Sequence, residues 1–170
     1  MQKKLSDFEG TNAVFIDANI FLHHAFDTNP ISVEFLSRIE TSNIKACTSA
    51  LVLEEVSYKI MMQSASNFLE KVTVQNVKRF LKNTENRANV LTPLIEYMEY
   101  IDKLQESGMA VIDLKGGDMK QAAYKAKESG LITADAAHLA VMSRKSIHHI
   151  ATEDSDFAGV PTITVWSPSA

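Results

Sequence analysis

The chain has a single cysteine, Cys47, among 170 residues. One thiol excludes an internal disulfide framework and a multi-cysteine zinc site. No apolar run approaches the ~20 residues that a membrane-crossing helix needs. The opening residues, Met1-Gln-Lys-Lys-Leu-Ser-Asp, carry two lysines with no apolar stretch behind them. A signal peptide is therefore not expected, and the cytoplasm is the expected compartment. A basic excess is missing as well: 17 Lys and Arg face 21 Asp and Glu, a formal net charge of −4. That balance argues against a protein that grips duplex DNA by counterion release. It does not argue against a nuclease, because four carboxylates gathered in one metal pocket would leave the rest of the surface neutral by count. No glycine-rich phosphate loop follows a strand candidate, and Lys115-Gly116-Gly117 lacks the spacing. With 45% hydrophobic and 22% charged residues, wholesale disorder, collagen-like and coiled-coil chains are excluded.

What is present is an alternation of short apolar runs with longer amphipathic segments. Ala13–Ile16, Ile44–Cys47, Met109–Leu114, His149–Ala151 and Thr162–Trp166 read as strands. Ser49 reads as the N-cap of a helix carrying Leu53, Val56 and Ile60. Thr92-Pro93 reads as N-cap plus first-turn proline of a helix bearing Leu94, Met98, Ile101 and Leu104, stopped by Gly108. Asp118–Ser129 closes at Gly130, and Thr133 caps a helix through Met142. Strands alternating with helices predict a mainly parallel sheet covered on both faces. Residues 57–108 hold no strand candidate and read as two or three helices, with Gln63–Asn67 and Lys82–Asn89 as polar joints. The expectation is one α/β domain over residues 1–170 with a helical excursion in its middle.

The positions of the carboxylates carry the functional information. Asp17 directly follows the first apolar run, Glu54 and Glu55 lie in the second turn of the Ser49 helix, and Asp154 and Asp156 follow His149–Ala151. Asp135 sits in the first turn of the helix that leads into that strand. In an open α/β sheet ligands bind outside the carboxyl ends of the strands, so a parallel sheet brings these acids to one edge. Clustered carboxylates repel one another unless a cation lies among them. An all-oxygen donor set suits Mg²⁺ or Mn²⁺ rather than zinc, and metal-assisted phosphodiester hydrolysis is the matching chemistry. Each acid alone also has a plain explanation: Asp135 suits a helix dipole, Asp154 and Asp156 suit a turn, and one of the two glutamates suits a solvated helix face.

Val14-Phe15-Ile16-Asp17-Ala18-Asn19 resembles the opening motif of PIN domains, an apolar strand followed by Asp-x-Asn. Thr48-Ser49-Ala50-Leu51-Val52-Leu53-Glu54-Glu55-Val56 resembles their second motif, and alignment on Ser49 and Val56 selects Glu55 over Glu54. Thr133-Ala134-Asp135-Ala136 is similar to the third, and Thr152-Glu153-Asp154-Ser155-Asp156-Phe157 to the last. The four motifs occur in order between residues 12 and 167. The resemblance implies a three-layer α/β/α sandwich and a Mg²⁺/Mn²⁺-dependent ribonuclease, most often the VapC-type toxin of a toxin–antitoxin pair and commonly a homodimer. It implies that Asp17, Glu55, Asp135 and Asp154 hold the metal, with Asp156 auxiliary. Asn19, Ser49 and Thr152 would orient those acids or a water. Its implied partners are RNA and an antitoxin protein. The excursion over 57–108 is longer than in compact VapC-type toxins, which weakens the toxin expectation more than the nuclease one.

Several other signals carry less. His23-His24 and His148-His149 point apart as neighbours and have no Cys or Glu at zinc spacing. His138, one helical turn beyond Asp135, reads as packing in preference to a site contact, and Cys47 reads as inert. Lys78, Arg79, Lys82 and Arg87 form the densest basic stretch, either a solvated helix face or a rim for RNA phosphates beside the pocket. A phosphatase of the haloacid-dehalogenase type would need Asp-x-Asp-x-Thr, where this chain has Asn19 and Phe21. A non-catalytic PIN-like module that binds RNA or protein is the rival expectation.

Overall fold

The computed structural model of the protein describes residues 2–41 and 44–169. Its six strands are β1 (Gln2–Lys4), β2 (Val14–Ile16), β3 (Ala46–Ser49), β4 (Ala110–Ile112), β5 (His149–Ala151) and β6 (Thr164–Ser167). They form one all-parallel sheet in the order β1-β6-β5-β2-β3-β4. Val14, Phe15 and Ile16 of β2 are all fully buried, as a central strand covered on both faces must be.

Among the described residues seven α-helices accompany the strands: α1 (Ala18–Ala25), α2 (Pro30–Thr41), α3 (Ala50–Ala65), α4 (Val74–Phe80), α5 (Thr84–Glu106), α6 (Gly116–Ser129) and α7 (Thr133–Arg144). The path β2→β3→β4 advances one way across the sheet, and β4→β5 crosses back the other way. Right-handed crossovers that advance in opposite directions place their helices on opposite faces. Accordingly α1, α2, α3 and α5 pack on one another, while α6 and α7 pack as a separate pair. This is the expected three-layer arrangement, with α3 to α5 as the helical excursion. Among the described residues no helix is long and apolar enough to cross a membrane.

Three local expectations are corrected. α5 does not begin at Thr92-Pro93; it starts at Thr84, where Asn83 Oδ1 accepts from the Glu85 and Asn86 amides at 2.8 and 3.4 Å. Pro93 lies inside the helix, which removes one backbone bond. Burial of Val90 before it and of Tyr97, Ile101 and Leu104 after it outweighs that loss. α7 is not capped by Thr133, which is its first helical residue, and Ile132 stands at the N-cap with no side-chain bond. α6 starts at Gly116 because Asp118 Oδ2 accepts from the Lys115 amide at 2.8 Å, and it closes at Gly130 in the left-handed region (φ 72°). Asp118 is also held by Arg144 through Nε at 2.7 Å and a second nitrogen at 2.9 Å, which keeps its carboxyl below the usual range.

Candidate active site

Strand order reverses between β2 and β5, and the residues that follow these two strands build the centre of the site. Ile16 lies opposite Ala151 in the parallel ladder, so residues 17 and 152 leave the sheet side by side. The Asp17 amide extends the ladder by donating to the Ala151 carbonyl at 3.1 Å. Asp17 is only 7% exposed. Its Oδ1 accepts from the Ala18 amide at 2.8 Å, capping α1. Its Oδ2 accepts from Asn19 Nδ2 at 2.8 Å and from Thr152 Oγ1 at 2.6 Å.

Asn19 and Thr152 tie this acid to the loop after β5. Asn19 Nδ2 also donates to Thr152 Oγ1 at 2.9 Å, and Asn19 Oδ1 accepts from the Glu153 amide at 3.1 Å. Thr152 Oγ1 accepts from the Asp154 amide at 3.0 Å, and Asp154 Oδ1 accepts from the Asp156 amide at 2.8 Å. One hydrogen-bonded chain therefore runs from Asp17 through Thr152 to Asp154 and Asp156. It fixes the backbone on which the two outer acids are mounted.

Asp135, in the first turn of α7, reaches the same place from the other layer. Asp135, Asp154 and Asp156 each present a ligand atom within 4.8 Å of the others. The Asp135 carboxyl is pushed up to about 6, first by burial, then by the charges of Asp154, Asp17, Glu55 and Asp156. Asp17 is raised too: burial outweighs its bond from Thr152, and Glu55 adds repulsion. Glu55 projects from α3 and pairs with Lys59 Nζ at 2.6 Å. Glu54 is exposed and is not among the charges acting on Asp135 or Asp17. Ser49 Oγ accepts from the Val52 amide at 3.3 Å as the N-cap of α3, so it sets where the helix carrying Glu55 begins.

The histidines divide. His148 is exposed, and His149 accepts from Trp166 Nε1 at 3.1 Å. His24 stacks on Tyr100 with ring centroids 4.3 Å apart. His23 lies at the rim, its Nε2 2.9 Å from Glu153 Oε2. His138, which reads as packing from the sequence, does pack on Phe15 at 5.7 Å between centroids. It also faces the acids: its charge state bears on Asp17, and burial holds its own pKa down. Its spacing of three residues from Asp135, close to one helical turn, was the available signal. Cys47 is buried and its thiol is pushed up to about 12, as an inert residue should be.

The PIN domain family matches residues 14–162, which is most of the chain, and the protein belongs to that family. Solved structures share the fold at low identity. Chains similar to this one include VapBC2 from Rickettsia felis bound to a promoter DNA fragment, at 13% identity and a TM-score of 0.56, covering 91% of this chain and 98% of that one. A toxin–antitoxin complex from Klebsiella pneumoniae is similar at 17% identity and a TM-score of 0.54, covering 91% and 97%. VapC20 from Mycobacterium tuberculosis, described as a sarcin–ricin loop cleaving toxin, is similar at 15% identity and a TM-score of 0.56, covering 87% and 95%. No curated protein matches the sequence.

The polar chain is itself testable. Thr152→Val removes the hydroxyl that Asp17, Asn19 and Asp154 share, and should cost about 1–3 kcal/mol of stability. At roughly 2–4 °C per kcal/mol for a chain of this size, the thermal midpoint should fall by about 5 °C, while Thr152→Ser should restore it. The Asp17 carboxyl should also titrate higher in the valine variant, because its largest stabilising contact is gone. An unchanged midpoint would mean that the hydroxyl does not organise the loop.

Proposed function

We propose that this protein is a Mg²⁺- or Mn²⁺-dependent endoribonuclease, the toxin of a toxin–antitoxin pair, acting as a homodimer in the cytoplasm. The observation that carries the reading is that Asp135, Asp154 and Asp156 present ligand atoms within 4.8 Å of one another in a PIN domain, with the charges of Asp17 and Glu55 also acting on Asp135. The donors are all carboxylate oxygens, and Asp135 and Asp17 are raised first by burial and then by neighbouring acids, which fits a hard divalent cation better than a solvated acidic patch. In this reading Asp17, Glu55, Asp135 and Asp154 hold the cation, and Asp156 is an auxiliary acid. Asn19 and Thr152 keep Asp17 and the Asp154 loop in place, and Ser49 fixes the helix that carries Glu55. A bound cation would supply Lewis-acid stabilisation of the phosphodiester and a more acidic water. The acids orient the attacking water, and the buried Asp17 keeps its geometry through three accepted hydrogen bonds. RNA as substrate and an antitoxin as partner are supported by the descriptions of the similar structures.

The test is cleavage of a mixed-sequence single-stranded RNA by the purified protein in Mn²⁺, Mg²⁺ or EDTA. Cleavage in either metal and none in EDTA is expected. Cleavage that persists in EDTA would overturn the metal site. RNA binding without cleavage under any condition would favour a non-catalytic PIN-like module.

A further inference from the structure

The basic stretch seen in the sequence lies at the end of α3 remote from the acids. There the excursion has its own small apolar cluster, Ala65, Val77 and Val90, backed by Leu69 and Phe80. A groove of about 690 Å³ opens beside it, walled by Phe68 and Phe80 and edged by Lys71, Arg79 and Lys82. The two rings stack with centroids 6.0 Å apart, and Phe68 remains 47% exposed. Among the described residues none of the three cations is in an ion pair. Asn76 and Asn86 spend their amide nitrogens on the Lys71 and Phe80 carbonyls, which leaves their oxygens as acceptors. Asn83 spends its oxygen capping α5, which leaves its nitrogen as a donor. Glu70 is the one acid on the lining.

We propose that this groove binds single-stranded RNA at a distance from the cleaved bond, an inference that rests on the ribonuclease reading. An unpaired base stacks on the exposed ring of Phe68, the free amide groups meet base edges, and Lys71, Arg79 and Lys82 neutralise the flanking phosphates. Charge complementarity selects this occupant: the chain carries −4 overall, yet this groove gathers three cations against one acid. Cations and amides surrounding an aromatic wall suit a nucleic acid better than the charge-depleted centre of a protein interface. A single strand fits because a base paired in a duplex offers no free face.

The site and the groove are linked along α3. From Glu55 to Ala65 the helix rises about 15 Å, the length of about five stacked nucleotides. A second hollow of about 380 Å³ lies along this stretch, lined in part by Lys59, Gln63, Ser66 and Val72. Lys59, which lines this hollow, is the residue paired with Glu55.

The test is fluorescence anisotropy in EDTA with a labelled mixed-sequence single-stranded RNA about twelve nucleotides long, where no cleavage interferes. Phe68→Ala should weaken binding about tenfold, within the range measured for loss of one base–aromatic stack. The double variant Arg79→Gln/Lys82→Gln should make the slope of log K against log salt shallower by about 1.4. Both substitutions are at exposed positions, and unchanged thermal midpoints would show that the fold is intact. In cleavage assays the same variants should raise KM for the long RNA with kcat unchanged, and leave KM for an RNA of about four nucleotides unaltered. Wild-type affinity and salt slope in every variant would overturn the groove while leaving the nuclease reading intact. Equal losses on short and long RNA would also overturn it, by placing the effect at the acids. If Phe68→Ala lost a co-expressed antitoxin but kept RNA, the groove would be a protein-docking surface and the proposal would fall. A wild type that cleaves no RNA and binds none would remove both readings together.

Discussion

Asp17→Asn is expected to reduce metal-dependent RNA cleavage by about 10³-fold or more, with Glu55→Gln, Asp135→Asn and Asp154→Asn close behind. The amide removes one negative charge while keeping nearly the same shape, so the loss reports on charge. Asp17 has a complication of its own. Its Oδ1 faces the Ala18 amide and its Oδ2 faces Asn19 and Thr152, so all three neighbours are donors. An NH₂ group at either position meets another donor, and Asp17→Asn can disturb the local fold as well as the charge. Asp154→Asn and Glu55→Gln avoid that ambiguity. Asp154 keeps its cap on the Asp156 amide through a carbonyl oxygen, and Glu55 gives up only a partly exposed pair with Lys59. The control is Glu54→Gln, which should retain near wild-type activity because Glu54 is exposed and is not among the charges that shift Asp135 or Asp17. Equal losses at both glutamates would mean that the helix register is misread. Full activity in Glu55→Gln and Asp154→Asn together would remove the acids from the chemistry.

Different parts of the structure were legible in the sequence for different physical reasons. Asp17 and Asp154 could be placed because apolar strands announce where they end, and a parallel sheet puts those ends on one edge. Asp135 was legible from its helix start, although that start lacks the threonine cap expected of it. Glu55 could not be separated from Glu54 by periodicity, since both fall in the same turn; only the motif resemblance chose between them. The Asn19 bonds to the loop after β5 were beyond local reading, because they join residues 133 and 134 positions apart. β1 was missed because Gln2-Lys3-Lys4 has neither apolar alternation nor burial. It is an edge strand whose place is set by backbone pairing with β6, and its lysines suit an edge. Pro93 misled the reading of α5, since a threonine–proline pair reads as a helix start even where packing on both sides carries the helix through. The groove at Phe68 was half legible: Arg79 and Lys82 were visible within the basic stretch, which also holds Phe80, but Phe68 and Lys71 come after α3 and meet them only in three dimensions.

Saturating Mn²⁺ should raise the thermal midpoint of the wild type by roughly 5–10 °C at pH 7. A ligand present at 100 times its Kd adds about 2.7 kcal/mol, and each kcal/mol is worth about 2–4 °C here. This expectation does not depend on turnover, so it tests the cation site separately from the reaction. The metal-free protein should show the complementary effect of pH. The Asp135 carboxyl lies at about 6 in the fold against an ordinary 3.8, so the fold favours its protonated form. That contribution is fully present below about pH 4 and is lost as the pH rises through about 6. Metal-free stability should therefore fall across this window, by on the order of 1 kcal/mol once solvent screening of a half-buried group is allowed for. Asp135→Asn should flatten that slope and raise the metal-free midpoint at pH 7, while shrinking the shift caused by Mn²⁺. Because a cation competes with protons for the same carboxylates, the Mn²⁺ shift in the wild type should also grow between pH 5 and pH 7. The two effects are related, since burial and the neighbouring charges both disfavour the ionised Asp135 carboxylate, and a divalent cation offsets both. A midpoint unmoved by Mn²⁺ at pH 7, together with an Asp135→Asn variant no more stable than wild type, would show that these acids neither repel one another appreciably nor hold a cation.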